Sequence, residues 1–489
     1  MVRPADGLTG GGQRRRWPAL AVGLVAAFMT LLDVSIVNVA VPSIERSLDA
    51  TPSDLQWVLS GYALTFGLVL VPAGRLGDTR GRRDAFVVGI ALFTATSAVA
   101  GLATSAGWLI AARLVQGAAA GLVNPQVTGL IQQLFRGPER GRPFGLLGAT
   151  IGISTAIGPL LGGLLIAVGG PEHGWRWVFF VNVPVGVMAV VLGWRLLPTV
   201  PEGGRRPRRL DPVGVLLLGA GVVLLLLPLV QREQWPGPAK WALVPVGLLA
   251  LAAFGWWERR YARHAEPLFD LRLFRLRSYA LGSLIALIYF GGFTALFFVF
   301  TLYLQIGLGY SALVAGLAIT PFALGSAVAS AVGGRIVDRY GRPLVTVGLA
   351  TVVVGLGAVV LALRVLPDAP APLVAALPLL VAGIGSGLVI TPNQTLTLAQ
   401  VPVPEAGSAA GMLQTGQRLG SAAGIAAVGA LFFSSVSAGG GDQWSAAFRR
   451  SLLLAAGIIA LALVAALLDS RHHRGTPAHV DAAGRDPAA

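Results

Sequence analysis

One acidic residue lies inside the first long apolar segment of the sequence, in the stretch LLDVSIVNVAVP at positions 31–42. Asp33 stands between Ala19 and Ile44, about 21 Å and 17 Å from these two ends along a helix axis. A carboxylate at that depth in a membrane costs at least roughly 2.5 kcal/mol, so it needs a partner or a proton. Asp33 is therefore the first candidate for chemistry in this chain.

Polar and small residues also recur at helical spacing in the fourth apolar segment. They are Arg113, Gln116, Gly117, Ala120 and Asn124, and they fall on one helical face. Such a face does not favour lipid, and Arg113 is the best candidate partner of Asp33. Gln116 and Asn124 on the same face are candidates for lining a substrate cavity. The alternative interpretation is a fixed ion pair with a structural role only.

Two segments in the second half of the chain contain candidates for a substrate cavity. In the segment at 406–436, one helical face carries Gln414, Gln417, Arg418 and Ser421. The segment at 279–305 carries the aromatic residues Tyr289, Phe293, Phe297 and Phe300. Arg418 could face a cavity or bond to backbone carbonyls, and the aromatic face could bind a lipophilic ligand or fill a bundle core.

Several classes of chemistry are excluded by composition. The chain has no cysteine, its five histidines all fall outside the apolar segments, and its only lysine is Lys240. Thiolate metal sites, histidine proton relays and a phosphate-binding loop ending in lysine therefore cannot be built. We expect no enzyme activity, no metal and no cofactor.

The whole chain has the composition of a polytopic membrane protein, with 55% hydrophobic and 12% charged residues. About 20 apolar residues cross a hydrocarbon core, and the sequence offers fourteen such segments. Their limits are 19–44, 56–76, 84–104, 107–133, 143–168, 176–197, 211–230, 240–257, 279–305, 312–334, 343–366, 373–398, 406–436 and 446–469.

The net charge of +15 follows the same pattern, because most Lys and Arg residues lie in alternate loops. This distribution is the positive-inside bias of membrane proteins rather than a nucleic-acid surface. It predicts that both chain termini lie in the cytoplasm.

An internal repeat relates the two halves of the chain. Five residues of GRLGDTRGRR recur in GRIVDRYGRP at a constant offset: Gly74, Arg75, Asp78, Gly81 and Arg82 correspond to Gly334, Arg335, Asp338, Gly341 and Arg342. A weaker echo pairs Gly141 with Gly407 and Gly145 with Gly411. Each strong copy follows an even-numbered span, so the two halves have the same orientation in the membrane.

The sequence therefore predicts an all-α fold of two six-helix bundles with an inserted helix pair, a 6+2+6 plan of fourteen spans. The predicted regions are an N-terminal tail at 1–18, a bundle at 19–197, a linker with two helices at 198–278, a bundle at 279–469 and a disordered tail at 470–489.

Five motifs carry a resemblance to the major facilitator superfamily, and within it to the fourteen-span drug:proton antiporters. They are LDVSIVNVAVP in span 1, GRLGDTRGRR after span 2, RLVQGAAAGLVNP in span 4, GISTAIGPLLGG in span 5 and GWRWVFFVNVPVGV entering span 6. The resemblance covers nearly the whole chain and implies the major facilitator fold.

The resemblance also implies roles for the motif residues. It gives Asp33 and Arg113 to proton coupling, and the repeated loop residues to a latch between conformations. It gives the span 5 motif to helix packing at the interface between halves, through Gly148, Gly152, Gly158, Pro159, Gly162 and Gly163. For the loops a solvated basic turn is the alternative, and for span 5 it is ordinary helix packing.

The expected function is proton-coupled export of lipophilic drugs or antibiotics across a bacterial plasma membrane, by a monomer surrounded by lipid. The alternatives are a facilitator or importer of a metabolite and an exporter of a lipid or cell-envelope precursor. Because Asp33 is the single deep acid, we expect neutral, monocationic or zwitterionic substrates. Arg113 and Arg418 leave anionic substrates open.

Overall fold

The computed structural model describes residues 10–170, 172–199, 211–230, 235, 237–265, 267–437 and 443–473. Over these ranges the chain is almost entirely helical and contains no strand, which confirms the predicted all-α class. The α-helices are α1 (Gly10–Leu48), α2 (Pro52–Arg80), α3 (Arg82–Gly101), α4 (Ala106–Leu134), α5 (Gly141–Gly169), α6 (Gly174–Phe180), α7 (Asn182–Leu196), α8 (Pro212–Val230), α9 (Leu243–Tyr261), α10 (Arg277–Leu302), α11 (Ala312–Tyr340), α12 (Arg342–Val365), α13 (Ala371–Leu398), α14 (Ala406–Ser437) and α15 (Gln443–His473).

Thirteen helical segments in the described ranges are long and apolar enough to cross a membrane. The predicted seventh span corresponds to α8, whose apolar stretch Pro212–Pro228 is shorter than the others, so the count of fourteen is not confirmed. The predicted sixth span is divided into α6 and α7 at Val181. Pro184 follows this break and cannot donate a backbone hydrogen bond to the preceding turn.

The helices assemble into two bundles, α1–α7 and α10–α15, which meet along two helix crossings, α2 with α14 and α5 with α11. Glycines make both crossings possible. A Cβ on Gly74 or on Gly334 would lie well under 3.0 Å from the carbonyl oxygen of Gly407 or Gly141, respectively. The glycines of the strong repeat therefore meet the glycines of the weaker echo, at crossings that small residues permit.

The same repeat explains two tight turns between helices. Gly81 separates α2 from α3 with φ 112°, and Gly341 separates α11 from α12 with φ 56°. Positive φ values favour glycine because a side chain would be strained there. The repeated glycine thus lets each pair of helices reverse direction.

The inserted helices α8 and α9 pack against each other, and α8 also packs against α2 and α14. The indole Nε1 of Trp257 in α9 donates to Asp211 Oδ2 at 2.7 Å, which ties the start of α8 to the end of α9. The pair consequently flanks the first of the two crossings between the bundles.

The chain ends differ from the predicted tails. Helix α1 begins at Gly10, inside the predicted tail 1–18, and α15 continues to His473, beyond the predicted limit of 469. Residues 1–9 and 474–489 lie outside the described residues, as does most of the predicted disordered segment.

Candidate functional site

The Asp33 side chain is completely buried and is held by three side chains of the first bundle. Arg113 Nη1 of α4 forms an ion pair with Oδ2. Gln116 Nε2 of α4 and Asn182 Nδ2 of α7 each donate to Oδ1 at 3.1 Å. Both carboxylate oxygens therefore have partners, as a buried charge requires.

Arg113 is fixed on the other sides as well. Its Nε donates to the Val58 carbonyl at 3.1 Å, and its Nη1 donates to Gln116 Oε1 at 2.9 Å. The guanidinium lies 4.1 Å from the centre of the Tyr62 ring, a favourable cation–π position away from water. The Tyr62 hydroxyl in turn donates to the Thr30 carbonyl at 3.2 Å.

Asn182 extends this network to α3. Its Nδ2 also donates to Ser97 Oγ at 3.1 Å, and Ser97 Oγ donates to the Phe179 carbonyl at 2.9 Å, close to the α6–α7 break. Our sequence analysis did not single out Asn182 as a partner of Asp33. The available signal was an amide side chain within the apolar run FFVNVPVG of a recognised motif.

A cavity of about 600 Å³ lies next to this network, between the two bundles. It is lined by Val34, Asn38, Gln56, Leu59, Ser60, Tyr62, Ala63, Leu64, Arg113, Leu226, Thr294, Phe298, Leu302, Arg418, Ser421, Ala422, Ile425, Ala426, Gly429 and Phe433. Its volume is typical of sites for small organic ligands. Arg113 and Tyr62 separate the cavity from the buried Asp33.

The cavity occupies the half of the protein away from Asp78. Its lining residues on α2 end at Leu64, which is about 21 Å along the helix from Asp78. The inserted helix α8 contributes Leu226 to the wall, so the helix pair is part of this site's surroundings.

Among the predicted cavity residues, Arg418 does line the cavity, whereas the amides do not. Gln116 binds Asp33, Asn124 Nδ2 donates to Thr30 Oγ1 at 3.3 Å, and Gln414 Nε2 donates to Thr128 Oγ1 at 3.4 Å. Gln417 is also absent from the lining. The prediction was wrong for Gln116, Asn124 and Gln414 because their amides bond to residues of other helices instead.

The aromatic residues predicted to bind substrate also pack elsewhere. Tyr289 is buried and its hydroxyl donates to Ser386 Oγ at 2.7 Å. Phe293 and Phe297 contact the Phe322 ring, with centroid distances of 6.0 and 5.1 Å. The face of α10 that lines the cavity carries Thr294, Phe298 and Leu302 instead, about 100° further around the helix.

The first copy of the repeated motif connects the two bundles. Asp78 accepts hydrogen bonds from the backbone N–H groups of Gly407 at 3.0 Å and Ser408 at 2.8 Å, and from the Ser408 hydroxyl at 3.2 Å. These N–H groups belong to the first turn of α14, where the helix dipole attracts a negative charge. Arg82 pairs with Asp78 at 2.8 Å and donates to the Val403 carbonyl across the interface. The neighbouring Arg75 is buried.

The second copy is arranged differently. Asp338 and Arg335 are exposed, and no hydrogen bond or ion pair joins Asp338 to another described residue. Arg342 donates to the Ser278 carbonyl at 2.7 Å and to Asn393 Oδ1 at 3.3 Å, both in its own bundle. A latch was predicted for both copies, but among the described residues only the aspartate of the first copy forms hydrogen bonds to the other bundle.

The glycines of the span 5 motif lie on two faces of α5, one toward the second bundle and one toward α1. A Cβ on Gly148 would collide with Thr391, and one on Gly152 would lie 3.0 Å from the Ala323 carbonyl oxygen, both residues of the second bundle.

The other face packs against α1, where a Cβ on Gly158 or Gly162 would crowd Ser35 or Ile36. Pro159 packs against Gly316 of the second bundle, whereas Gly163 has open space around it and belongs to neither contact. Helix α5 therefore joins the Asp33 helix directly to the second bundle.

Comparison with known proteins places this geometry in a known setting. The profile of the Major Facilitator Superfamily matches residues 23–425 and 282–489. The chain is 39% identical to a probable actinorhodin transporter of Streptomyces coelicolor, over 86% of this chain and 73% of that protein. It is 35% identical to a puromycin resistance protein of Streptomyces alboniger, over 94% and 93%. The human organic anion transporter MFSD10 (TETRAN) has a similar fold, with a TM-score of 0.66 at 17% identity over 95% of this chain and 100% of that structure.

Proposed function

The chain belongs to the major facilitator superfamily, a multi-pass membrane protein, and we propose that it exports lipophilic antibiotics or drugs in exchange for protons. The substrate moves through the cavity between the bundles by alternating access. The protein works in the inner membrane of a bacterium as a monomer, without a cofactor or metal, and has both termini in the cytoplasm. The names of the relatives, which refer to antibiotic transport and resistance, support the substrate class.

The observation that carries the proton-coupling proposal is the position of Asp33. It is the one carboxylate in the described part of the chain that is buried deep within a span and bonded to an arginine lining the cavity. Intramembrane ionisable groups in transporters mark substrate or proton pathways. Asp33 is therefore the proton-binding residue in our proposal.

Protonation of Asp33 would remove the charge that holds Arg113 in place. A buried arginine without its counter-ion is strongly unfavourable, so Arg113 then has to find another partner or the bundles have to move. Helix α5 contacts both α1 and α11, which gives the state of Asp33 a direct route to the second bundle. In this proposal the proton thus selects between conformations.

The proposed orientation in the membrane identifies the conformation described here as one that is closed to the cytoplasm. With both termini in the cytoplasm, the Asp78 contacts close the cytoplasmic end and the cavity occupies the outer half of the membrane. In this conformation substrate leaves toward the outside and protons enter from there.

Proton release from inverted vesicles tests the proposal. Vesicles with an acid interior and equal amounts of wild type or Asp33→Asn are given lipophilic compounds of different charge, and the internal pH is recorded. We expect substrates to dissipate the gradient through wild type and the Asp33→Asn rate to fall at least tenfold, as for loss of an essential proton carrier.

The matched control is Asp49→Asn, the same substitution at an exposed residue in the turn after α1. It should retain the wild-type rate. If Asp33→Asn also retains that rate, Asp33 does not carry the proton. If no compound dissipates the gradient through wild type although the protein transports one of them, it is a facilitator.

A further inference from the structure

The cavity contains two arginines, and only one of them is neutralised. Arg113 is paired with Asp33, whereas Arg418 on α14 has no ion pair or hydrogen bond with any described residue. A guanidinium carries five N–H donors and cannot lose its charge in a protein. The donors of Arg418 are therefore available to a ligand or to water.

An aromatic ring holds Arg418 in this position. Its guanidinium lies 4.3 Å from the centre of the Phe66 ring, on α2 of the opposite bundle. A contact with an aromatic face uses none of the guanidinium's N–H groups. Arg418 is thus held at the cavity with its donors available.

No carboxylate in the cavity wall balances this charge. None of the described lining residues is Asp or Glu, and the nearby Asp33 is fully occupied by Arg113, Gln116 and Asn182. When the buried Asp33 is counted against its partner Arg113, the described residues at the cavity carry a net charge of one positive unit, which attracts anions and repels cations.

The rest of the wall suits an aromatic compound. Leu226, Phe298 and Phe433 supply apolar surface, while Asn38, Gln56 and Ser60 supply hydrogen-bonding groups. A ligand with a flat apolar body and one acidic group would match both the walls and Arg418.

We propose that the preferred substrates are aromatic acids that bind as anions, with their carboxylate or phenolate on Arg418. This inference rests on the proposed export function and names its substrate class. It replaces the expectation of neutral, monocationic or zwitterionic substrates with the anionic class that Arg113 and Arg418 had left open, because Asp33 is already neutralised inside the first bundle.

Proton and substrate then bind to different residues on different bundles. Asp33 takes the proton on α1, and Arg418 takes the substrate on α14. A cationic drug competing with the proton for one carboxylate is not part of this arrangement. Coupling depends instead on the movement of the bundles.

The experiment compares three probes built on one ring system: 9-anthracenecarboxylate, its methyl ester and (9-anthracenylmethyl)trimethylammonium. Binding to the purified full-length protein is measured by fluorescence in wild type, Arg418→Gln and Arg418→Lys. We expect the carboxylate to bind wild type about tenfold more tightly than either other probe, and Arg418→Gln to remove that advantage. Arg418→Lys should keep at least part of it.

Each other result overturns the proposal. Tighter binding of the ammonium probe, absence of carboxylate binding to wild type, or unchanged carboxylate binding in Arg418→Gln would show that Arg418 does not select anions. Equal losses for the ester and the carboxylate in Arg418→Gln would show a structural defect of the cavity rather than a lost charge contact.

Proton release through wild type, measured with the same three probes, separates this inference from the proposed function. Failure of proton release with normal anion selectivity would overturn antiport alone, whereas proton release driven only by cations would overturn the anion site alone.

Discussion

The two copies of the repeated motif have the same key residues but different surroundings. Asp78 is buried and accepts four hydrogen bonds, three of them from the first turn of α14 in the other bundle. Asp338 is exposed and bonds to no described residue. The contrast teaches that a sequence repeat can preserve the residues needed for a contact between bundles, while the conformation determines which copy of the motif forms that contact.

The glycines next to these aspartates behave in the opposite way. Gly74 approaches Gly407 as closely as Gly334 approaches Gly141, so the backbone crossings are equivalent even though the aspartate contacts are not. The crossings can then act as paired pivots, with the Asp78 contacts holding one end closed. Three predictions test whether the two helix crossings are equivalent and whether the Asp78 contact with α14 holds the bundles together in a way that Asp338 does not.

The largest effect should come from removing the Asp78 charge. Asp78→Asn leaves Arg82 buried without its counter-ion and weakens the contact with α14, at a cost of about 3 kcal/mol, or roughly a hundredfold shift toward opening. Because the chain has no cysteine, Thr128→Cys provides a single labelling site. Thr128 lies next to Gln414, on the cavity side of the Asp78 contacts. Its reaction with a membrane-impermeant maleimide in inverted vesicles should accelerate at least tenfold in Asp78→Asn.

Asp338→Asn is the matched control for this experiment. Its carboxylate is exposed and has no described partner, so its labelling rate should stay within about twofold of the parent rate. Equal acceleration in the two variants would mean that both copies hold this conformation, contrary to the contacts described here.

The next effect should be the same at both crossings. A methyl group added by Gly74→Ala or by Gly334→Ala would collide with a backbone carbonyl that cannot rotate away. We expect each substitution to lower the free energy of unfolding by about 1–3 kcal/mol, the usual cost of overpacking. Thermal unfolding in detergent, followed by tryptophan fluorescence, measures the loss.

Gly416→Ala on α14 provides the control for helix propensity, because a Cβ there would meet nothing within 4 Å. It should leave stability unchanged or raise it slightly. If only Gly74→Ala destabilises the protein, the two crossings are not equivalent pivots and the proposed symmetry of the movement fails.

Much of this organisation could be predicted from sequence because it depends on patterns with few solutions. The length of the apolar segments restricts them to membrane helices, and the constant offset of the GRLGDTRGRR residues identifies two similarly oriented halves. The pairing of Asp33 with Arg113 was also accessible, since a deep carboxylate needs a partner and few arginines lie at that depth.

The cavity could not be predicted to the same degree. Helix α10 is apolar around most of its circumference, so its sequence pattern does not show whether Phe297 or Phe298 faces the cavity. Asn38 lines the cavity but was not among the predicted cavity residues. The difference between Asp78 and Asp338 could not be predicted either. The two motif copies have identical key residues and differ only in the groups that the conformation brings close to them.

The smallest effect should distinguish the parts of the latch itself. Ser408→Ala removes the 3.2 Å hydrogen bond to Asp78 and a 3.0 Å bond to the Glu405 carbonyl, but leaves the backbone donors of Gly407 and Ser408 in place. A hydrogen bond to a charged group contributes about 1.5–3 kcal/mol, and we expect the low end here because Asp78 keeps three other partners. Thr128→Cys labelling should therefore accelerate about tenfold, which is less than in Asp78→Asn. Ser434→Ala is the control, because the Ser434 hydroxyl donates to the Leu431 carbonyl in its own helix, and it should leave the labelling rate unchanged.

If Ser408→Ala matched Asp78→Asn, the hydroxyl rather than the positive end of α14 would hold the bundles together. A small effect instead means that Asp78 is held mainly by the backbone N–H groups at the start of α14. The exposed Asp338 bonds to no such helix terminus among the described residues.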